Sequence, residues 1–208
     1  MIFCPSRFLV LTLTLLFSVM LEAEIRHRPF QEKYTDPDTG ICFPSEIGGY
    51  RKTEVVRNFN PFIGTVIRYA DVDGGCADIY IYSLDSSGKA ITGEQFMTHF
   101  RDLRKTIENL SKKSSHVTDI QTLGEESFRK PPHVFGRQVF FRMNIAGDLH
   151  NSDLAVFPFA DKMVKIRISS SSYYSSGEKN RFSFFMESIA KLFNNAKKQK
   201  KAKKIEKK

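Results

Sequence analysis

The sequence has no long apolar segment: its longest, Phe8 to Leu21, is interrupted by Thr12, Thr14 and Ser18 and falls short of the roughly 20 residues a bilayer span needs. Histidine is scarce and scattered. His27, His99, His116, His133 and His150 include no pair at the helical i, i+4 or strand i, i+2 spacing of a metal site. There is no Gly-x-Ser-x-Gly elbow and no Cys/His signature, so nucleophilic catalysis has no visible centre. Asp71-Val72-Asp73-Gly74 and Asp36-Pro37-Asp38-Thr39-Gly40 lack the full ligand run and closing Glu of a calcium loop and read as turns. No cofactor, metal or catalytic residue is therefore expected. A hydrolase with a dispersed active site stands as the enzymatic alternative.

What is present begins with an export pattern. Arg7 supplies a positive n-region, Phe8 to Leu21 an apolar h-region, and Ala23 a small residue before a cut. Residues 1–23 are expected to be a signal peptide and the protein to be periplasmic or secreted, with retention of the segment as an anchor as the alternative. Removal of residues 1–23 takes Cys4 with it and leaves Cys42 and Cys76 in an oxidising compartment. Two readings stand side by side: a Cys42–Cys76 bridge, worth about 4 kcal/mol in the chain-entropy model, or two separate buried thiols.

The net charge of +9 is unevenly spread. Lys197, Lys198, Lys200, Lys201, Lys203, Lys204, Lys207 and Lys208 against Glu206 give +7, residues 1–23 sum to zero, and residues 24–196 carry +2. The body is nearly neutral, and the basicity is a C-terminal tail. Residues 197–208 are expected to be disordered. Their lysines suit peripheral contact with an anionic membrane or polyanion, but without interleaved aromatics they offer no specific nucleic-acid recognition.

Along the chain, residues 24–41 show neither hydrophobic period and read as a flexible lead-in. A single domain over residues 42–196 follows. Strands are predicted near Tyr50–Val56, Thr65–Ala70 and Ala77–Ser83 as an antiparallel meander. Phe96, Phe100, Leu103, Ile107 and Leu110 form one helical stripe, and Thr92 with Gln95 has capping-box spacing, which predicts a helix from Gly93 to Ser111. Strands are then expected at His116–Leu123, around Phe135–Ile145, at Asp153–Phe159 and at Met163–Ser169. A Ser/Tyr-rich loop over Ser169–Ser176, with Tyr173 and Tyr174, leads to a closing helix with Phe182, Phe185, Met186, Ile189, Leu192 and Phe193 on its apolar stripe.

The order β-β-β-α-β-β-β-β-α gives an α+β fold: one antiparallel sheet of about seven strands packed with two long amphipathic helices. This layout, with its Phe43-Pro44 entry and terminal amphipathic helix, resembles the Mog1/PsbP-like α/β/α fold over roughly residues 42–194. That group includes small exported bacterial lipoproteins and photosystem accessory proteins. Phe43-Pro44-Ser45-Glu46-Ile47-Gly48-Gly49-Tyr50 is also similar to the opening of a family of exported bacterial proteins of uncharacterised function. The resemblance implies a binding or assembly factor and carries over no catalytic residue.

One recognition surface is suggested by the strands themselves. Arg68, Arg142, Lys165 and Arg167 alternate with apolar neighbours, and with Tyr80 and Tyr82 they would form a basic sheet face for an acidic partner protein or anionic envelope component. The bland alternative is a solvated face balanced by residues such as Asp78 and Asp153. The expected function is a non-enzymatic exported accessory protein, with a membrane- or polyanion-binding module built on the lysine tail as the alternative.

Overall fold

A computed structural model describes the backbone over residues 26–28, 33–130, 134–170 and 176–205, and side chains over most of these. Eleven strands are formed among them: β1 (Arg26–Arg28), β2 (Tyr34–Thr35), β3 (Cys42–Phe43), β4 (Glu46–Ile47), β5 (Tyr50–Arg57), β6 (Thr65–Ala70), β7 (Cys76–Tyr82), β8 (Val117–Lys130), β9 (Val134–Ile145), β10 (Asp148–Phe159) and β11 (Lys162–Ser170). The helices are α1 (Gly93–Glu108), the short α2 (Leu110–Lys113) and α3 (Ser176–Ile205). Nine strands make one sheet in the order β1-β5-β6-β7-β11-β10-β9-β8, with β4 also on β5, and β2 pairs with β3 apart from it. Every described pairing is antiparallel.

A helix packs on each face of the sheet, which makes three layers. Strict alternation in β6, β7, β9 and β11 sends Ile67, Tyr69, Ile79, Ile81, Val164, Ile166 and Ile168 to one face, where Phe185, Met186, Ile189 and Phe193 of α3 cover them. Phe193 meets Phe157 and Phe159 edge-on, with ring centroids 5.1 and 5.0 Å apart. Val139, Phe141, Met143, Leu154, Val156 and Met163 point the other way, beneath Phe96, Phe100 and Ile107 of α1. The predicted capping box is formed: the Thr92 Oγ1 accepts from the Gln95 amide and the Gln95 Oε1 accepts from the Thr92 amide.

Three sequence expectations need correction. Residues 24–41 are not a flexible lead-in throughout. β1 pairs with β5, and Asp36 Oδ1 accepts from the Thr39 amide at 2.9 Å and its hydroxyl at 2.6 Å, folding a tight loop. That loop returns the chain so that Tyr34 and Ile41 both enter the core. Strands only two residues long show no period, which is why the segment looked irregular. The polar stretch after Leu123 is strand as well, because β8 runs to Lys130. Register shifts at Thr118/Gln121 and Thr122/Gly124 scramble its alternation.

The lysine run is the third correction. Residues 197–205 are helical, continuing α3 rather than trailing as a disordered end. Gly177 is the last glycine or proline in the sequence, and Lys, Ala and Gln are good helix formers, so the packed helix propagates without a stop signal. Residues 1–23, the Tyr173–Tyr174 loop and Lys207 and Lys208 lie outside the described residues. No described helix is long and apolar enough to cross a membrane.

Candidate functional site

α1 lies over the β9–β10 half of its face, and polar side chains take over on the β5, β6, β7 and β11 half. The register aligns Glu54 with Arg68, Arg68 with Asp78, and Asp78 with Arg167 across four neighbouring strands. One row farther along, Lys165 pairs with Tyr80. Since paired residues share a face, these six side chains form one strip.

Its contacts are specific. Arg68 bridges two carboxylates, its Nη1 2.5 Å from Glu54 Oε2 and its Nε 3.7 Å from Asp78 Oδ1. The Tyr80 hydroxyl donates to Asp78 Oδ2 at 3.3 Å, and the Lys165 ammonium sits 3.7 Å from the centre of the Tyr80 ring. Arg167 donates from Nε to the Ser152 hydroxyl at 3.1 Å. Toward α1, the Tyr82 hydroxyl lies 2.6 Å from His99 Nε2.

Burial governs the proton affinities here. Asp78 is only 7% exposed, and burial holds its carboxyl above the usual range despite the opposing pull of Arg68, Arg167 and Lys165. Burial, with Arg167 alongside, brings Lys165 down to about 8. His99 is likewise lowered by burial and by Lys165. Burial raises the Tyr80 and Tyr82 phenols, which stay protonated donors.

Of the residues expected to form a basic face, Arg68, Lys165 and Arg167 do come together, with Tyr80 among them and Tyr82 at the margin. Arg142 does not. It pairs with Asn151 on β10, and alternation along β9 places it on the α3 face, opposite Val139 and Phe141. The separation follows from β9 standing three places beyond β7 in the sheet: alternation within a strand says which residues share a face, not which face of the neighbouring strands they join. Asp153 shares the Arg142 side, whereas Asp78 sits inside the strip. With Glu54 and Asp78 between three cations, the strip carries one net positive charge, so it is a mixed-charge surface rather than a basic one.

The Cys42–Cys76 bridge is not formed, because Cys42 is an exposed free thiol on β3. Cys42 belongs to the two-stranded β2–β3 unit, while Cys76 opens β7 in the main sheet. Among the described residues no group of three or more His, Cys, Asp or Glu side chains could hold a metal ion.

Two features escaped sequence reasoning. Ser152, whose hydroxyl accepts from Arg167, lies in a run with no distinguishing spacing. The loop Asn58–Gly64, between β5 and β6, leaves Phe59, Phe62 and Ile63 each about half exposed, at 53, 52 and 53%. Its signal was three large apolar residues between the turn-formers Asn58 and Gly64.

No protein-family model matches the chain, and no curated protein sequence does. Among solved structures, the chain is similar to a cyanobacterial PsbP, CyanoP, from Synechocystis sp. PCC 6803, solved in solution, with a TM-score of 0.51 at 15% identity over 82% of this chain and 94% of that one. At that identity the likeness establishes the fold alone: this is a Mog1/PsbP-like α+β domain.

Proposed function

We propose that this protein is an exported, non-enzymatic accessory protein that recognises a partner protein through the strip of Glu54, Arg68, Asp78, Tyr80, Lys165 and Arg167. The observation that carries this reading is the strip's construction. Its charges are borne on paired strands and held in place by the two ion pairs of Arg68, the Arg167–Ser152 hydrogen bond and the Lys165–Tyr80 ring contact, so they meet a partner without first being ordered. The fold supports an accessory role, and the mixed charge favours a protein partner whose own acidic and basic groups alternate, since complementarity of pattern sets specificity. The polar partner of His99 is a protonated phenol rather than a Ser or Cys nucleophile, which speaks against a hydrolytic centre at the strip. Export rests on the residue 1–23 pattern.

The test is crosslinking pull-down from the exported fraction of the native host. Arg68→Glu with Arg167→Glu should abolish the principal crosslinked partner, while Arg142→Glu, on the other face, should leave it. Retention of every partner by the strip variant would end this reading.

A further inference from the structure

The ends of the strands place two unrelated sequence features on one side of the molecule. Arg57, Thr65, Ile81, Val164 and Phe157 form a single transverse row across β5, β6, β7, β11 and β10. The loop 58–64 leaves the sheet from that row, between Arg57 and Thr65. Phe193 of α3 packs on Phe157 in the same row and on Phe159, two residues farther toward the same end. α3 begins after the opposite end of β11, passes Phe140 at Phe182, and therefore runs toward the loop's end of the sheet. From Phe193 its backbone continues twelve more residues to Ile205, roughly 18 Å of helix. Lys197, Lys198, Lys200, Lys201, Lys203 and Lys204 all lie in that extension.

The loop is a built tip. Asn58 N donates to Gly64 O at 2.9 Å, Ile63 N and Gly64 N both donate to Asn60 O, and Ser83 N donates to Pro61 O at 2.8 Å, which ties the tip to the end of β7. The Asn58 and Asn60 carboxamides accept from the Asn60 and Phe62 amides. With the amides of Asn58, Asn60, Phe62, Ile63 and Gly64 bonded within the loop, the loop can bring Phe59, Phe62 and Ile63 against an apolar medium with few donors stranded.

We infer that this end of the molecule docks on an anionic lipid bilayer, with Phe59, Phe62 and Ile63 entering the interface and the lysine-bearing end of α3 held by the headgroup charge. The occupant follows from charge complementarity together with shape. A tip of three large apolar side chains suits the headgroup–acyl boundary, and the six lysines on the end of α3 that runs toward the same side select negative headgroups. A pocketed protein partner would account for the tip but would have no need of the lysines. This surface is separate from the charged strip, so either reading can fail without the other.

The measurement is cosedimentation of the chain lacking residues 1–23 with vesicles of phosphatidylcholine alone or mixed with phosphatidylglycerol, at low and high salt. Binding should require phosphatidylglycerol. Phe62→Ser with Ile63→Ser should weaken it at least about tenfold at both salt concentrations, because apolar insertion is not screened. Replacing Lys197, Lys198, Lys200 and Lys201 with Gln should weaken it on the order of a hundredfold at low salt and remove the preference for phosphatidylglycerol. Val72→Ser, at an exposed position on the opposite end of the sheet, should change nothing. Thermal unfolding of each variant confirms that it is folded. Three results would overturn the inference: equal affinity for neutral vesicles, tip variants that bind as the unmodified chain does, or binding to a soluble polyanion that matches vesicle binding in strength and salt dependence.

Discussion

Lys165 pairs an ammonium with the face of Tyr80 while burial and Arg167 disfavour its charge, and the balance falls against protonation, at about 8 rather than the usual 10.5. Between those values the unfolded chain binds a proton that the folded chain does not, so stability rises with pH through the window from about 8 to 10.5, and the penalty is fully present below 8. Lys165→Met keeps an apolar stem over the ring and removes the charge. It is expected to stabilise the fold by about 1–2 kcal/mol at pH 7, with the gain shrinking toward pH 10; urea unfolding at both pH values checks it, and destabilisation at pH 7 would mean the ammonium contributes more than its burial costs. Sequence reasoning found Lys165 and its two arginine neighbours because each alternates with apolar residues. Arg142 obeys the same rule in its own strand and still points to the α3 side, since the rule carries no information on which strands are neighbours. Asp78 was counted only as a neutralising charge, and its position between Arg68 and Arg167 is a matter of register across β6, β7 and β11.

Among the elements, those with long uninterrupted periods were legible: β6 matched its predicted bounds, and the α1 cap and its stripe as far as Ile107 appeared where spacing placed them, although the helix breaks at Asn109 and Leu110 opens α2. β1 to β4 were not, because strands of two or three residues are defined by their partners rather than by any pattern of their own. The loop 58–64 belongs with these. Gly64, at φ +65°, would place an added Cβ 1.9 Å from Ile81 O, so both the backbone conformation and the close approach of the loop to β7 require glycine. Gly64→Ala is therefore expected to cost about 3 kcal/mol and to pull Pro61 away from Ser83. Urea unfolding measures the first and amide exchange at Ser83 the second. A cost under about 1 kcal/mol with unchanged exchange would show that the tip is not held by this contact.

For the molecule as a whole, the two edges of the main sheet are guarded differently. β8 is a long outer strand, but its two register shifts twist it, and Glu125, Glu126, Arg129 and Lys130 stud its second half, devices that discourage further pairing. β5 carries one register shift, between Lys52 and Glu54, and charges at Arg51, Lys52, Glu54 and Arg57, and it is also covered. It is closed by short pieces, β4 against Tyr50 and Arg51 and β1 against Val55 to Arg57, and its far end leads straight into the exposed tip at Phe59. A cut after Ala23, as the export pattern suggests, would leave β1 attached, whereas a cut a few residues later would remove it. The N-terminal strand then acts as an edge cover rather than a leader. Deleting residues 24–32 from the chain lacking residues 1–23 should bare the β5 backbone at Val55, Val56 and Arg57, and promote pairing between copies through that edge. Light scattering across a concentration series should show a mass rising with concentration well beyond that of the longer chain, and adding Phe62→Ser to the deletion should leave this largely in place, because strand pairing rather than the apolar tip drives it. If the deletion behaves as the longer chain does at every concentration, β1 is dispensable to the edge and β4 suffices to guard it.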